Sequence, residues 1–163
     1  RWICCVLEFK GRRRELMQPG RYTELFFLDE ATAFAAGHRP CMECRRPDAL
    51  RFTEAWSSAY LPSGQFLRTV SHIDQIAHRE RIDRLPATQK TARPPPPARA
   101  GPRRGGGPRL LWRGRLHRWS FAGYTGSEPI PRDDAATLLT PPSFAVAFAA
   151  GYEPAVHISV RGP

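Results

Sequence analysis

From Pro86 to Pro108 the chain reads PATQKTARPPPPARAGPRRGGGP, with 11 of 23 residues Pro or Gly and no side chain able to anchor a core. Proline removes a backbone donor and glycine resists ordering, so such a stretch neither pairs as a strand nor winds as a helix. It reads as a disordered linker or surface insertion over residues 86–108. Foldable sequence is thereby confined to a knuckle-bearing unit at 1–85 and a C-terminal unit at 109–163. At 163 residues and 41% hydrophobic, the chain can bury one core, or one core with a small satellite, but not two large domains.

The same segment holds half of the net charge of +10, through Lys90, Arg93, Arg99, Arg103 and Arg104 with no acid among them. A strongly basic balance points to an anionic partner. Lys10 and Lys90 are the only lysines, however, and Ala, Pro and Gly are abundant. A GC-rich genome leaves the same bias, so the pI near 10.5 carries little weight by itself.

Residues 1–28 are expected to form an antiparallel β-meander: WICCVLEF as a first strand, a turn at Gly11, RRRELM returning, a turn at Pro19-Gly20, and RYTELFFL as a third strand. On a regular first strand Cys4 and Cys5 point opposite ways, with Ile3, Cys5, Leu7 and Phe9 on one face. The chain starts at Arg1 inside this strand, so a preceding segment is expected. Asp29 is placed to cap a short helix closed by Gly37, and Pro47 to open a second helix whose apolar side is Leu50, Trp56 and Tyr60. A third helix is expected over SHIDQIAHRERID, stopped by Pro86. After the linker come a hairpin turning at Arg113-Gly114 and a helix capped by Thr140 and ended by Gly151. The fold class is therefore α+β: a small meander and three helices around a Cys-x-x-Cys knuckle, followed by a hairpin-helix unit.

ATAFAAGHRP (31–40) and AVAFAAGYEP (145–154) match at seven of ten positions, yet only the first is followed by cysteines. The helix-Gly-x-x-Pro phrase is thus a structural device, a helix stop with an extended exit. What distinguishes the first copy is CMECRR. A Cys-x-x-Cys turn brings two thiolates to one ion, and zinc takes four such ligands in a tetrahedron. Cys41 and Cys44 are the first two ligands, and His38 and one of Cys4 or Cys5 are the candidates to complete the site, with His72 or His78 as more distant options. Cys4 is preferred, because the Cys5 face of the first strand is uniformly apolar, although a bulge would reverse the choice. The paucity and spacing of the four cysteines argue against a secreted disulfide framework and for a reducing, cytoplasmic setting.

FFLDEATAFAAGHRPCMECRRPD, residues 26–48, resembles the second half of the zinc-binding N-terminal domain of Ada-type bacterial DNA-repair regulators. Gly37, Arg39, Pro40, Cys41, Cys44, Arg45 and Pro47 fit the family pattern, with Arg46 as an insertion. The resemblance implies a zinc site and DNA binding, DNA rather than RNA. In that family the first half of the motif is Cys-x-x-x-Cys and its first cysteine accepts a methyl group; here Cys4 and Cys5 are adjacent, so that chemistry is not carried over. The chain as a whole is similar to small bacterial proteins that combine this knuckle with a WSFAGY…LLTPPS…AGYEP region, a likeness that implies no activity.

Arg39, Arg45 and Arg46 beside the knuckle, with Arg12, Arg13 and Arg14 at the first turn, would form a phosphate-binding patch if they share one side. Trp112, Trp119, Phe121 and Tyr124 are read as core aromatics rather than base-stacking platforms. No acidic pair, His-Asn-His arrangement or phosphate-cradling glycine loop points to an enzyme. The reading is zinc-stabilised nucleic-acid binding. Its rivals are a protein-interaction module with purely structural zinc and, further off, a thiol-based methyl acceptor or metal-dependent hydrolase. The longest apolar runs fall far short of the ~20 residues of a membrane span.

Overall fold

A computed structural model describes residues 1–12, 15–21, 23–62, 65, 69–84, 107–130 and 138–161. Arg13, Arg14, the Pro86 stop and nearly all of the 86–108 segment lie outside the described residues. Mixed α+β architecture is observed: β1 (Ile3–Cys4), α1 (Glu30–Ala35), β2 (Arg39–Pro40), α2 (Arg46–Tyr60), α3 (Val70–Arg84), β3 (Arg109–Trp112), β4 (Arg115–Ser120), β5 (Gly123–Pro129), α4 (Pro142–Ala149) and a closing 3-10 turn, Ile158–Arg161. No helix among the described residues is long and apolar enough to cross a membrane.

Among the described residues the expected N-terminal meander is not formed. Among the described residues 1–28 only Ile3 and Cys4 are strand, and they pair in parallel with Arg39 and Pro40 rather than with a neighbouring hairpin arm. Several of the apolar residues that suggested strands are left uncovered: Leu7 is 84% exposed and Phe26 67%. A strand is stabilised by the face it buries, so alternation without a partner layer does not make a sheet. The antiparallel meander lies instead in the C-terminal part, in the order β3-β4-β5. Its first turn is at Arg113-Gly114, both with positive φ (45° and 74°), as a two-residue hairpin requires. β5 was not foreseen, because GYTGSEP carries little apolar alternation.

The helices meet in one aromatic core. Phe34 of α1, Phe52 and Trp56 of α2, Ile73 and Ala77 of α3, and Phe144 and Ala147 of α4 are buried together with Tyr152. The rings of Phe34, Phe52, Phe144 and Tyr152 pack edge-on or tilted at centroid separations of 5.0–5.7 Å, the geometry favoured by ring quadrupoles. The buried side of α2 is Ala49, Phe52 and Trp56. Leu50 and Tyr60 are exposed, so that the expected apolar side was correct only at Trp56.

The two helix-Gly phrases are closed alike. Gly37 N–H donates to Phe34 O and His38 N–H to Ala33 O; Gly151 N–H donates to Phe148 O and Tyr152 N–H to Ala147 O. Both glycines are left-handed, at φ 80° and 97°, as this C-terminal motif demands. Asp29 caps α1 as expected, accepting from Thr32 N–H at 2.8 Å. Thr140 does not cap α4, whose cap residue is Pro141, with Pro142 opening the helix.

The start of α1 also fastens to the C-terminal part of the chain. Asp29 accepts from Tyr124 Oη (2.7 Å) and His157 N–H (3.0 Å), and buried Glu30 accepts from Tyr152 Oη (2.8 Å) and Ala155 N–H (2.7 Å). Burial, with the adjacent Asp29 and Glu30 carboxylates, pushes both tyrosine hydroxyls well above their ordinary pKa and keeps them as donors.

Candidate metal centre

The parallel pairing of β1 with β2 sets the register of the site. Arg39 N–H donates to Trp2 O and Cys41 N–H to Cys4 O, so the chain leaves the ladder with Cys5 beside Cys41. Neighbours in register present side chains on the same face. A tight turn over residues 42–45, closed by Arg45 N–H to Cys41 O at 3.1 Å, then returns Cys44 to the same point.

The three thiols of Cys5, Cys41 and Cys44 lie within 4.8 Å of one another. Zinc–sulfur bonds of about 2.3 Å would place tetrahedral sulfurs about 3.8 Å apart, so a small adjustment suffices for one ion to bridge all three. The protonation energetics are graded. Burial resists ionisation of Cys41, but N–H groups of Cys44 and Glu43 outweigh it and bring its pKa below the ordinary thiol value; the Glu43 N–H contact is 3.4 Å. Cys5 is pushed up to about 12 by burial and by the neighbouring Cys41 and Cys44 sulfurs. Three adjacent thiolates repel, and a cation is the natural means of holding them together.

Cys5, rather than Cys4, therefore joins the knuckle. The alternation argument separated the two cysteines correctly but assigned the wrong one, because the face carrying Ile3, Cys5 and Leu7 is not a core face at all. Cys4 looks the other way and accepts from Arg45 Nη1 at 3.6 Å; burial raises its pKa, with Arg45 opposing. His38 is also outside the thiol group. Its ring packs between Trp2 and Phe27 at centroid distances of 5.0 and 4.8 Å. Burial lowers its pKa to about 4, and its Nδ1 has no hydrogen-bond partner among the described residues.

The arginines divide sharply. Arg39 is buried and makes a two-pronged pair with Asp74 of α3, Nε to Oδ1 at 2.8 Å and Nη2 to Oδ2 at 2.9 Å. Arg45 bridges Glu30 and Asp48 at 2.9 and 2.8 Å. Both guanidinium groups are thus committed to internal carboxylates and do not face an outside phosphate. Arg46 is exposed, and Arg12 reaches the knuckle by pairing with Glu43 at 2.8 Å. The pairing of Arg39 with Asp74, 35 residues away, and of Arg45 with Glu30 had no local signal in sequence, whereas Asp48 lies only three residues beyond Arg45.

Comparison with protein families, curated proteins and solved structures finds no match to the chain.

Proposed function

We propose that the chain is a zinc-thiolate protein in which Cys5, Cys41 and Cys44 hold the ion in a reducing, cytoplasmic setting. The ion would pin the N-terminal segment to the helical body, and the adjoining basic surface would contact a nucleic-acid backbone. The observation that carries the metal reading is the convergence of three thiols from two separate stretches of chain within 4.8 Å. A soft, all-sulfur donor set suits zinc rather than magnesium or calcium. Residues 1–12 make little other regular structure, so ligation by Cys5 would contribute order that apolar burial does not supply there.

The nucleic-acid part rests on the Arg12–Glu43 pair, which draws Arg12 to the turn that the exposed Arg46 follows in sequence, and on the net charge of +10. DNA is the expected partner by the Ada-type resemblance of residues 26–48. Its test is fluorescence anisotropy with duplex DNA across a salt series. Binding that weakens steeply with salt, and is reduced by Arg12→Ala plus Arg46→Ala, supports it. Salt-insensitive binding, or none, removes it. A second reading, a protein-interaction module with structural zinc, is favoured by the exposed Leu7, Leu25 and Phe26 in the same N-terminal part.

A further inference from the structure

A cleft of about 330 Å³ opens between the N-terminal residues and α3, lined in part by Trp2, Gly37, Gln75, His78 and Arg81. Arg81 falls on the buried stripe of α3, four residues beyond Ala77 and eight beyond Ile73, both of which are core. A full cation is thus placed where the helix pattern calls for an apolar residue, and it is only 6% exposed.

Its partners among the described residues do not account for it. The guanidinium carbon lies 4.0 Å from the Trp2 ring centroid, and Nη1 donates to Gly37 O at 3.3 Å. Nε is buried with no hydrogen-bond partner among the described residues. The carboxylates whose charge reaches Arg81 are Asp74 and Glu80. Asp74 is engaged by both prongs of Arg39, and Glu80 accepts from Ser143 N–H and Oγ. A buried guanidinium whose Nε is left without a partner among the described residues is costly unless an anion meets it.

We propose that this cleft binds a small oxyanion, a phosphate or carboxylate group, with the Arg81 guanidinium as its main contact and Trp2 as one wall. Gln75 and His78, both exposed one and two turns along α3, line the same cleft, and Arg1 adds a second cation. Asp74 also lines it, but its charge is matched by Arg39. The guanidinium fork suits either oxyanion geometry. Gly37 belongs to the design as well: a Cβ there would sit 2.7 Å from Arg81 Nη1, so a larger residue would have to displace the arginine from its place against the backbone. The site is independent of the thiol cluster and of the nucleic-acid reading.

The test is a titration of the full chain with sodium phosphate and, separately, sodium acetate at ionic strength held constant with sodium chloride, followed by NMR through the arginine Nε–H resonances. Saturable movement of the Arg81 signal with either anion is expected, the better of the two identifying the oxyanion class. Arg81→Met should abolish saturable binding. Because that change removes a packed side chain, Gln75→Glu is the second variant: an exposed added charge at the cleft should weaken binding roughly fivefold while leaving the fold intact. No saturable response to either anion, or binding unchanged in Gln75→Glu, overturns the proposal.

Discussion

Arg39 and Asp74 are locked by two parallel hydrogen bonds of 2.8 and 2.9 Å, which tie the entry to the cysteine turn onto α3. Side-chain exposures of 5% and 15% make this a desolvated pair. Removing one member leaves the other charged and buried, which typically costs about 3–5 kcal/mol. Asp74→Ala is therefore expected to lower the free energy of unfolding by that order in urea denaturation. A loss below ~1 kcal/mol would show that the pair is solvated and replaceable.

The neighbouring arginines Arg45 and Arg46 are expected to behave oppositely. Arg45→Ala strips a partner from buried Glu30 and from Asp48, and should destabilise the fold by about 2–4 kcal/mol. Arg46→Ala, on the exposed side, should change stability by less than ~0.5 kcal/mol. Thermal unfolding of the two single variants distinguishes them. A DNA-binding test must therefore use Arg46 and Arg12, since loss of binding in an Arg45 variant would report unfolding as readily as lost contact.

How far the sequence foretold the structure varies with the range of the interaction. The helix cap at Asp29 and the stops at Gly37 and Gly151 were legible because these residues act within a few residues of themselves. The closeness of Cys41 and Cys44 was legible for the same reason. The meander was misread because alternation in residues 1–28 reports only the chain's capacity to be a strand, not the presence of a layer to cover it. Cys5 was passed over on that mistaken premise. The roles of Arg39 and Arg81, and the Glu30 half of the Arg45 bridge, depend on partners brought near by tertiary packing, and arginine beside a Cys-x-x-Cys turn reads identically whether it faces in or out.

Gly37 and Gly151 offer an internal comparison, since both close a helix in the left-handed region. Gly151→Ala meets only the backbone penalty, as nothing lies within 4 Å of the new Cβ, and should cost about 1–2 kcal/mol. Gly37→Ala adds a 2.7 Å encounter with Arg81 Nη1 and should cost more. Equal losses in chemical denaturation would mean that Arg81 moves away freely.

The pH dependence of stability should carry a signature of His38. Burial holds its pKa at about 4 in the folded chain, against 6.5 for the unperturbed group. Between those values the unfolded state binds the extra proton, so stability is full above about pH 6.5 and falls as pH drops toward 4, by up to roughly 3 kcal/mol. His38→Phe keeps an aromatic ring between Trp2 and Phe27 and should flatten that part of the profile. An unchanged slope in the variant would assign the acid sensitivity to other groups.

The central claim is tested most directly by the metal content of freshly reduced protein, measured alongside Cys4→Ser and Cys5→Ser. About one zinc ion per chain, retained in Cys4→Ser and lost or much weakened in Cys5→Ser, is the result the three-thiol geometry predicts. Zinc that survives in Cys5→Ser but not in Cys4→Ser, or no bound zinc at all, would contradict it.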